Sequence, residues 1–158
     1  MTMDLNPETD LELIRHFSAP PAKVWRCWSE VGLMKQWWVP KPVWVRQMEL
    51  DLRPGGQFLT VMVVPDHGDH LVDGCFLDVV PERRIVFTDA LVAGFRPAGA
   101  AMFGFTAVIT MQPEGTGTLY RALAMHKDKT IRDQHEQMGF HEGWGTCADQ
   151  LNALSAGL

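Results

Sequence analysis

Phe140, Trp144, Cys147, Leu151 and Leu154 recur at intervals of four, three, four and three residues. That spacing puts all five on one stripe of an α-helix. Asp133, Gln137, Glu142, Asp149 and Asn152 fall on the opposite side. The proline-free run from Asp128 to Leu158 therefore predicts one long amphipathic helix. It opens at Lys129 and Thr130, with Thr130 as N-cap, and closes at Gly157. Gly139, Gly143 and Gly145 lie inside it, each costing about 1 kcal/mol relative to alanine. They mark either a kink or a place where a strand or a ligand comes too close for a side chain. Such a helix needs a surface to lie on.

Upstream, the pattern is that of the surface. Met1 to Thr9 reads as a loose lead-in. Asp10 to Ser18 alternates, with Leu11, Leu13, Arg15 and Phe17 opposed to Glu12, Ile14 and His16, and predicts a first strand. Ala19-Pro20-Pro21 breaks it, and Pro21 starts a short helix over Ala22 to Ser29 with Val24 and Trp28 inward. A second helical turn spans Leu33 to Trp38 and stops at Pro40 and Pro42. Strands follow over Val43–Leu52, Gln57–Val64, His70–Val80, Arg84–Val92, Met102–Met111 and Thr118–Met125. Turn signals such as Arg53-Pro54-Gly55-Gly56 separate them, and Ala93 to Ala101 reads as a long flexible loop. Short connections imply an antiparallel meander. The fold class is α+β: a curved antiparallel sheet of about seven strands wrapped on the terminal helix, with two short helices after the first strand. Such a sheet leaves a cavity against its helix. Trp28, Trp37, Phe58, Met62, Phe76, Phe87, Phe103, Phe105, Met138 and Trp144 are its candidate lining; the alternative is that they fill a solid core.

Composition narrows the function classes. The 158 residues read as a single domain over 1–158, 46% hydrophobic and 21% charged, as in ordinary globular proteins. A net charge of -5 and the lack of any basic cluster beyond Arg83-Arg84 speak against nucleic acid as a partner. No run approaches a membrane span, and the acidic N-terminus does not read as a signal peptide. Cys27, Cys75 and Cys147 are odd in number and scattered, which fits reduced thiols and a cytoplasmic location.

Familiar catalytic signatures are missing. Ser18, Ser29 and Ser155 are the only serines, and none sits in a nucleophile elbow. No phosphate-binding loop, dinucleotide fingerprint or C-x-x-C occurs, and no cofactor is implied. His135 and His141 are six apart, about 120° apart on one helix, so they cannot chelate a metal together. Asp66, His67, Asp69, His70 and Asp73 cluster at a turn and read as a solvated turn rather than a metal site. His141, Arg121 and Asp89 could each present one polar group to a cavity.

Several motifs occur in order: Leu33 with Trp37-Trp38-Val39-Pro40; Asp51-Leu52-Arg53-Pro54-Gly55-Gly56; Gly74 to Pro81 with Ile85-Val86-Phe87-Thr88; and Met138-Gly139-Phe140 with Gly143-Trp144 and Asp149-Gln150-Leu151. Together they resemble the START-like (SRPBCC, Bet v 1-like) superfamily, nearest the group named for the C-terminal domain of the Hsp90 ATPase activator Aha1. The resemblance spans about residues 10 to 156 and implies a helix-grip fold with a deep apolar cavity. Members elsewhere use that cavity for lipids, sterols or polyketide intermediates. The namesake's chaperone work involves a separate N-terminal domain for which this chain has no room, so no Hsp90 interaction is expected.

Three readings follow. The first is a binding module for a hydrophobic small molecule, with His141, Arg121 and Trp144 as contacts. The second is a cyclase- or hydrolase-type enzyme using an inward His, Asp or Arg with a perturbed pKa. The third is a chaperone- or regulator-interacting module with an exposed patch around Trp38, Val39 and Trp44. A homodimer is compatible with each.

Overall fold

A computed structural model describes residues 4–158. β1 (Asp10–Phe17) leads into two short helices, α1 (Pro21–Ser29) and α2 (Val31–Met34). β2 (Trp44–Leu50), β3 (Gln57–Val64), β4 (Gly68–Val80) and β5 (Arg84–Thr88) then run as a meander. A small ribbon follows, β6 (Leu91–Val92) with β7 (Arg96–Pro97), around a 3-10 turn at Ala93–Phe95. β8 (Thr106–Glu114) and β9 (Gly117–Met125) complete the sheet, and α3 (Lys129–Gln137) and α4 (Phe140–Ala156) end the chain.

The main sheet is seven-stranded and antiparallel, ordered β1-β9-β8-β5-β4-β3-β2. β1 and β2 are its two edges, so α1 and α2 carry the chain across one face. Period-two alternation decides what that face buries. Leu11, Leu13 and Phe17 point inward from β1, Ile85 and Phe87 from β5, Ala107, Ile109 and Met111 from β8, and Tyr120, Ala122 and Ala124 from β9. Register shifts between Val45 and Gln47 and between Phe76 and Asp78 break the alternation. The first explains why Val45 and Met48, three apart, are both buried.

The cover is α1, α2 and α4. Val24, Cys27 and Trp28 of α1 and Phe140, Ala148 and Leu151 of α4 are buried. Each large side chain so buried contributes about 1.5–3 kcal/mol. Gln150 of α4 ties down the segment after α2: its amide N–H donates to Trp37 O (3.1 Å) and Val39 O (2.9 Å), and its Oε1 accepts from Lys41 N (3.1 Å).

The terminal run is two helices rather than one. Gly139 sits at φ 97, in the left-handed region open to glycine, and the helix stops and restarts there. The first N-cap is Asp128 rather than Thr130, its carboxylate accepting from Ile131 N (2.9 Å). Upstream, α2 begins two residues before the expected turn, and the expected Arg84–Val92 strand ends at Thr88, whose hydroxyl donates to Phe105 O (2.9 Å) and accepts from Ala90 N (3.1 Å). Met102 to Phe105 precede β8 instead of opening it, and the 93–101 stretch holds a 3-10 turn and a strand rather than one loop. Of the expected lead-in, Met1 to Met3 lie outside the described residues; Pro7 to Thr9 form a turn, and Asp10 Oδ2 accepts from Asn6 N (2.8 Å).

Candidate functional site

Under the N-terminal half of α4, the inner face of the sheet is not filled. A pocket of about 330 Å³ opens there, far above the ~10–15 Å³ that one water requires. Its walls are aromatic. Trp28 packs edge-on to Trp37 (5.1 Å) and Trp38 (5.4 Å), Trp38 leans on Phe58 (5.0 Å), and Phe87 stands edge-on to Phe58 (5.1 Å). Phe105 and Trp144 meet edge-on at 5.8 Å at the other end. Val72 and Met102, exposed at 42% and 72%, mark the rim.

Gly143 shows why the gap persists. It lies on the pocket wall, and a Cβ built there would meet nothing within 4 Å. Gly145 differs: its Cβ would come within 2.8 Å of the Arg15 guanidinium reaching over from β1. The three helical glycines thus have three separate reasons: a break at Gly139, open space at Gly143 and a close approach at Gly145.

Polar groups reach the pocket from the loop before β8 and from α3. His135 of α3 is buried, stacked on Phe103 (4.2 Å) and bordered by Phe105 (5.3 Å), Phe140 (5.3 Å) and Trp144 (6.2 Å). Burial first, and the neighbouring His126 second, hold it down at about 4, so it is neutral at pH 7. Its Nδ1 is 2.8 Å from His126 Nε2, and His126 Nδ1 is 2.9 Å from Thr9 O. The fold makes this contact from sequence neighbours: His126 extends the β1–β9 ladder by one step, its backbone N–H donating to Thr9 O (3.0 Å), and α3 then folds back over it.

Asp89 lines the same pocket where the chain leaves β5. Its Oδ1 is buried without a hydrogen-bond partner among the described residues. Burial raises the carboxyl above the usual range, and the backbone N–H groups of Phe103, Phe105, Asp89 and Gly104 oppose that rise without closing a well-aligned bond on Oδ1. Tyr120 adds a hydroxyl at the far end, stacked on Phe17 (4.7 Å) and driven up strongly by burial, with the nearby Trp28 indole N–H partly opposing. That indole N–H is sealed and has no well-aligned partner among the described residues.

Of the residues expected at the cavity, Trp28, Trp37, Phe58, Met62, Phe87, Phe103, Phe105 and Trp144 stand on the pocket wall. Phe76, Arg121, Met138 and His141 lie elsewhere. Phe76 is stacked beneath Phe58 at 4.8 Å and sealed from the pocket. Arg121 pairs with Glu12 on the adjacent strand, on the side of the sheet away from Tyr120 and Ala122. Met138 is 68% exposed at the junction of α3 and α4. His141 is exposed and contacts Glu136 (3.1 Å). The break at Gly139 puts the two histidines on separate helices, and His135 is the one turned inward. The expected Trp38–Val39–Trp44 patch is not contiguous: Val39 is buried, Trp38 lines the pocket, and Trp44, half exposed, lies under the Arg46 guanidinium at 5.3 Å.

Burial pushes the thiols up, Cys27 to about 11 and Cys147 to about 12. Neither is a thiolate nucleophile at neutral pH. No group of three or more His, Cys, Asp or Glu among the described residues could hold a metal ion, and no described helix is long and apolar enough to cross a membrane.

The model of the family described as Activator of Hsp90 ATPase homolog 1-like protein matches residues 18–156. A crystal structure of a protein from Nitrosomonas europaea is 47% identical, covers 95% of this chain and 96% of its own, and superposes with a TM-score of 0.90. The AHSA1 protein of Silicibacter pomeroyi is 26% identical over 93% of this chain and 97% of its own, with a TM-score of 0.69. A Mycobacterium smegmatis protein, 23% identical over 94% of this chain and 91% of its own, shares the fold with a TM-score of 0.79. No curated protein matches the chain.

Proposed function

The chain belongs to the Activator of Hsp90 ATPase homolog 1-like family, and on that premise we propose that it binds a small apolar molecule between the sheet and α4. The observation that carries this reading is the aromatic-walled pocket of about 330 Å³. Ligand sites run from ~300 to 1,000 Å³ and combine apolar walls with a few placed polar groups. Trp28, Trp38, Phe58, Phe87, Phe105 and Trp144 supply the walls, and Asp89, His135 and Tyr120 the polar groups. Burial of the molecule's surface provides the affinity. Free Cys27, Cys75 and Cys147, two of them buried, suit a cytoplasmic protein.

A second reading is favoured by one observation. Asp89 and His135 both carry pKa values displaced by burial and share the pocket. Such pairs are candidates for proton transfer, so turnover of the bound molecule is the alternative to simple binding.

Mass spectrometry of the purified protein, native and then denatured, tests the proposal. We expect a near-stoichiometric apolar compound that leaves on denaturation. Protein that carries none, and that takes up none from a mixture of apolar metabolites, would overturn it.

A further inference from the structure

The polar end of the pocket limits what can occupy it. Thr9 O can only accept, so His126 Nδ1 carries a proton. Where His126 Nε2 carries no proton it accepts, and His135 Nδ1 is the donor across their 2.8 Å contact. That leaves His135 Nε2 as a bare acceptor, with no protein partner among the described residues. Asp89 Oδ1 is a second acceptor without a donor. The two groups flank the same segment: His135 stacks on Phe103, and Asp89 N–H reaches Phe105 O at 3.4 Å. Asp73 is a further carboxylate on the wall, and no Lys or Arg lines the pocket among the described residues. Of the two acceptors, Asp89 Oδ1 is the sealed one; a buried acceptor without a donor is costly, and a ligand that supplies the donor removes that cost.

We propose that the occupant is an apolar molecule with a hydrogen-bond-donating head group, an amine or an alcohol rather than a carboxylate, seated at the Asp89–His135 end. A carboxylate there would meet the acidic side chains of Asp89 and Asp73 with no Lys or Arg on the wall to offset them. This inference rests on the apolar-binding reading above.

The test titrates the full chain with decylamine, 1-decanol, decanoic acid and decyl methyl ether, following tryptophan fluorescence. The amine and alcohol should bind about tenfold or more tighter than the acid, with the ether between. Asp89→Asn should cost the amine about tenfold and leave the alcohol within about threefold. Equal or tighter binding of the acid would overturn the head-group inference while sustaining the pocket. Failure of all four, the ether included, would overturn both. A second measurement needs no variant: ¹⁵N NMR of the wild-type protein at pH 7 should find His135 protonated on Nδ1 and bare on Nε2, and a proton on Nε2 would overturn the donor requirement there.

Discussion

The two halves of the interior lie under the same sheet and the same helix, yet they are built differently. Toward the C-terminal end of α4, Leu151 is fully buried, and Val24, Leu11 and Phe17 are likewise enclosed. Buried hydroxyls are satisfied there, as where Thr118 donates to Ala19 O (2.7 Å). Toward the N-terminal end, α4 starts on a left-handed glycine, presents Gly143 to open space, and leaves Trp144 half buried. A carboxylate oxygen there lacks a partner and a histidine is held neutral. Protein interiors are close-packed, so a gap beside unsatisfied polar groups is the expected mark of a site. One half of the core is closely packed, and the other half keeps the pocket.

The contrast can be broken from either side. Leu151→Ala strikes the packed half and should cost about 2–5 kcal/mol in denaturant unfolding. Ligand affinity of the protein that remains folded should be unchanged. If affinity falls in step with stability, the halves are not separable.

His135 gives a pH signature for the open half. Its folded value of about 4 lies below the ordinary 6.5. Between those values the unfolded chain binds a proton that the folded chain does not, so stability rises with pH. The contribution is complete above about pH 6.5 and is lost as pH falls toward 4, up to about 3 kcal/mol in all. The difference between wild type and His135→Phe, measured by urea unfolding across pH 4 to 7, should carry that slope. A constant difference across the range would mean that His135 is not held neutral.

Gly143→Leu should have the smallest effect on stability and a large one on binding. The helix gains up to about 1 kcal/mol from losing a glycine, while the new side chain occupies the pocket. Thermal unfolding should show a melting temperature at or above wild type, with apolar-ligand uptake lost. A destabilised protein that still binds would place the ligand elsewhere.

The fold was legible in the sequence because periodicity and turn chemistry act locally. The 140–154 stripe, the alternation around Leu11 and Leu13 and the Pro-Gly turns each specify their element without outside help. The walls of the pocket were legible for the same reason, since Trp28 and Phe58 declare an inward face. Its polar end was not. On one continuous helix His135 and His141 read as about 120° apart, with His141 the cavity candidate, and a left-handed glycine inside an amphipathic run is not distinguishable from a tolerated one. Arg121, one position from the inward-facing Tyr120 and Ala122, faces the other way by pleat alone. Asp89 stands in what reads as a continuous strand, and its isolation depends on Thr88 turning the chain outward, a tertiary contact with Phe105.

The tryptophans offer the most direct test. Of the six, Trp28, Trp37, Trp38 and Trp144 line the pocket, whereas Trp25 and Trp44 do not. Heteronuclear NMR of the indole N–H groups during titration with 1-decanol should move the first four together, saturating at one molecule per chain, and leave the other two in place. Unmoved lining resonances, or a response dominated by the exposed Trp44, would contradict the claim that this pocket is a binding site.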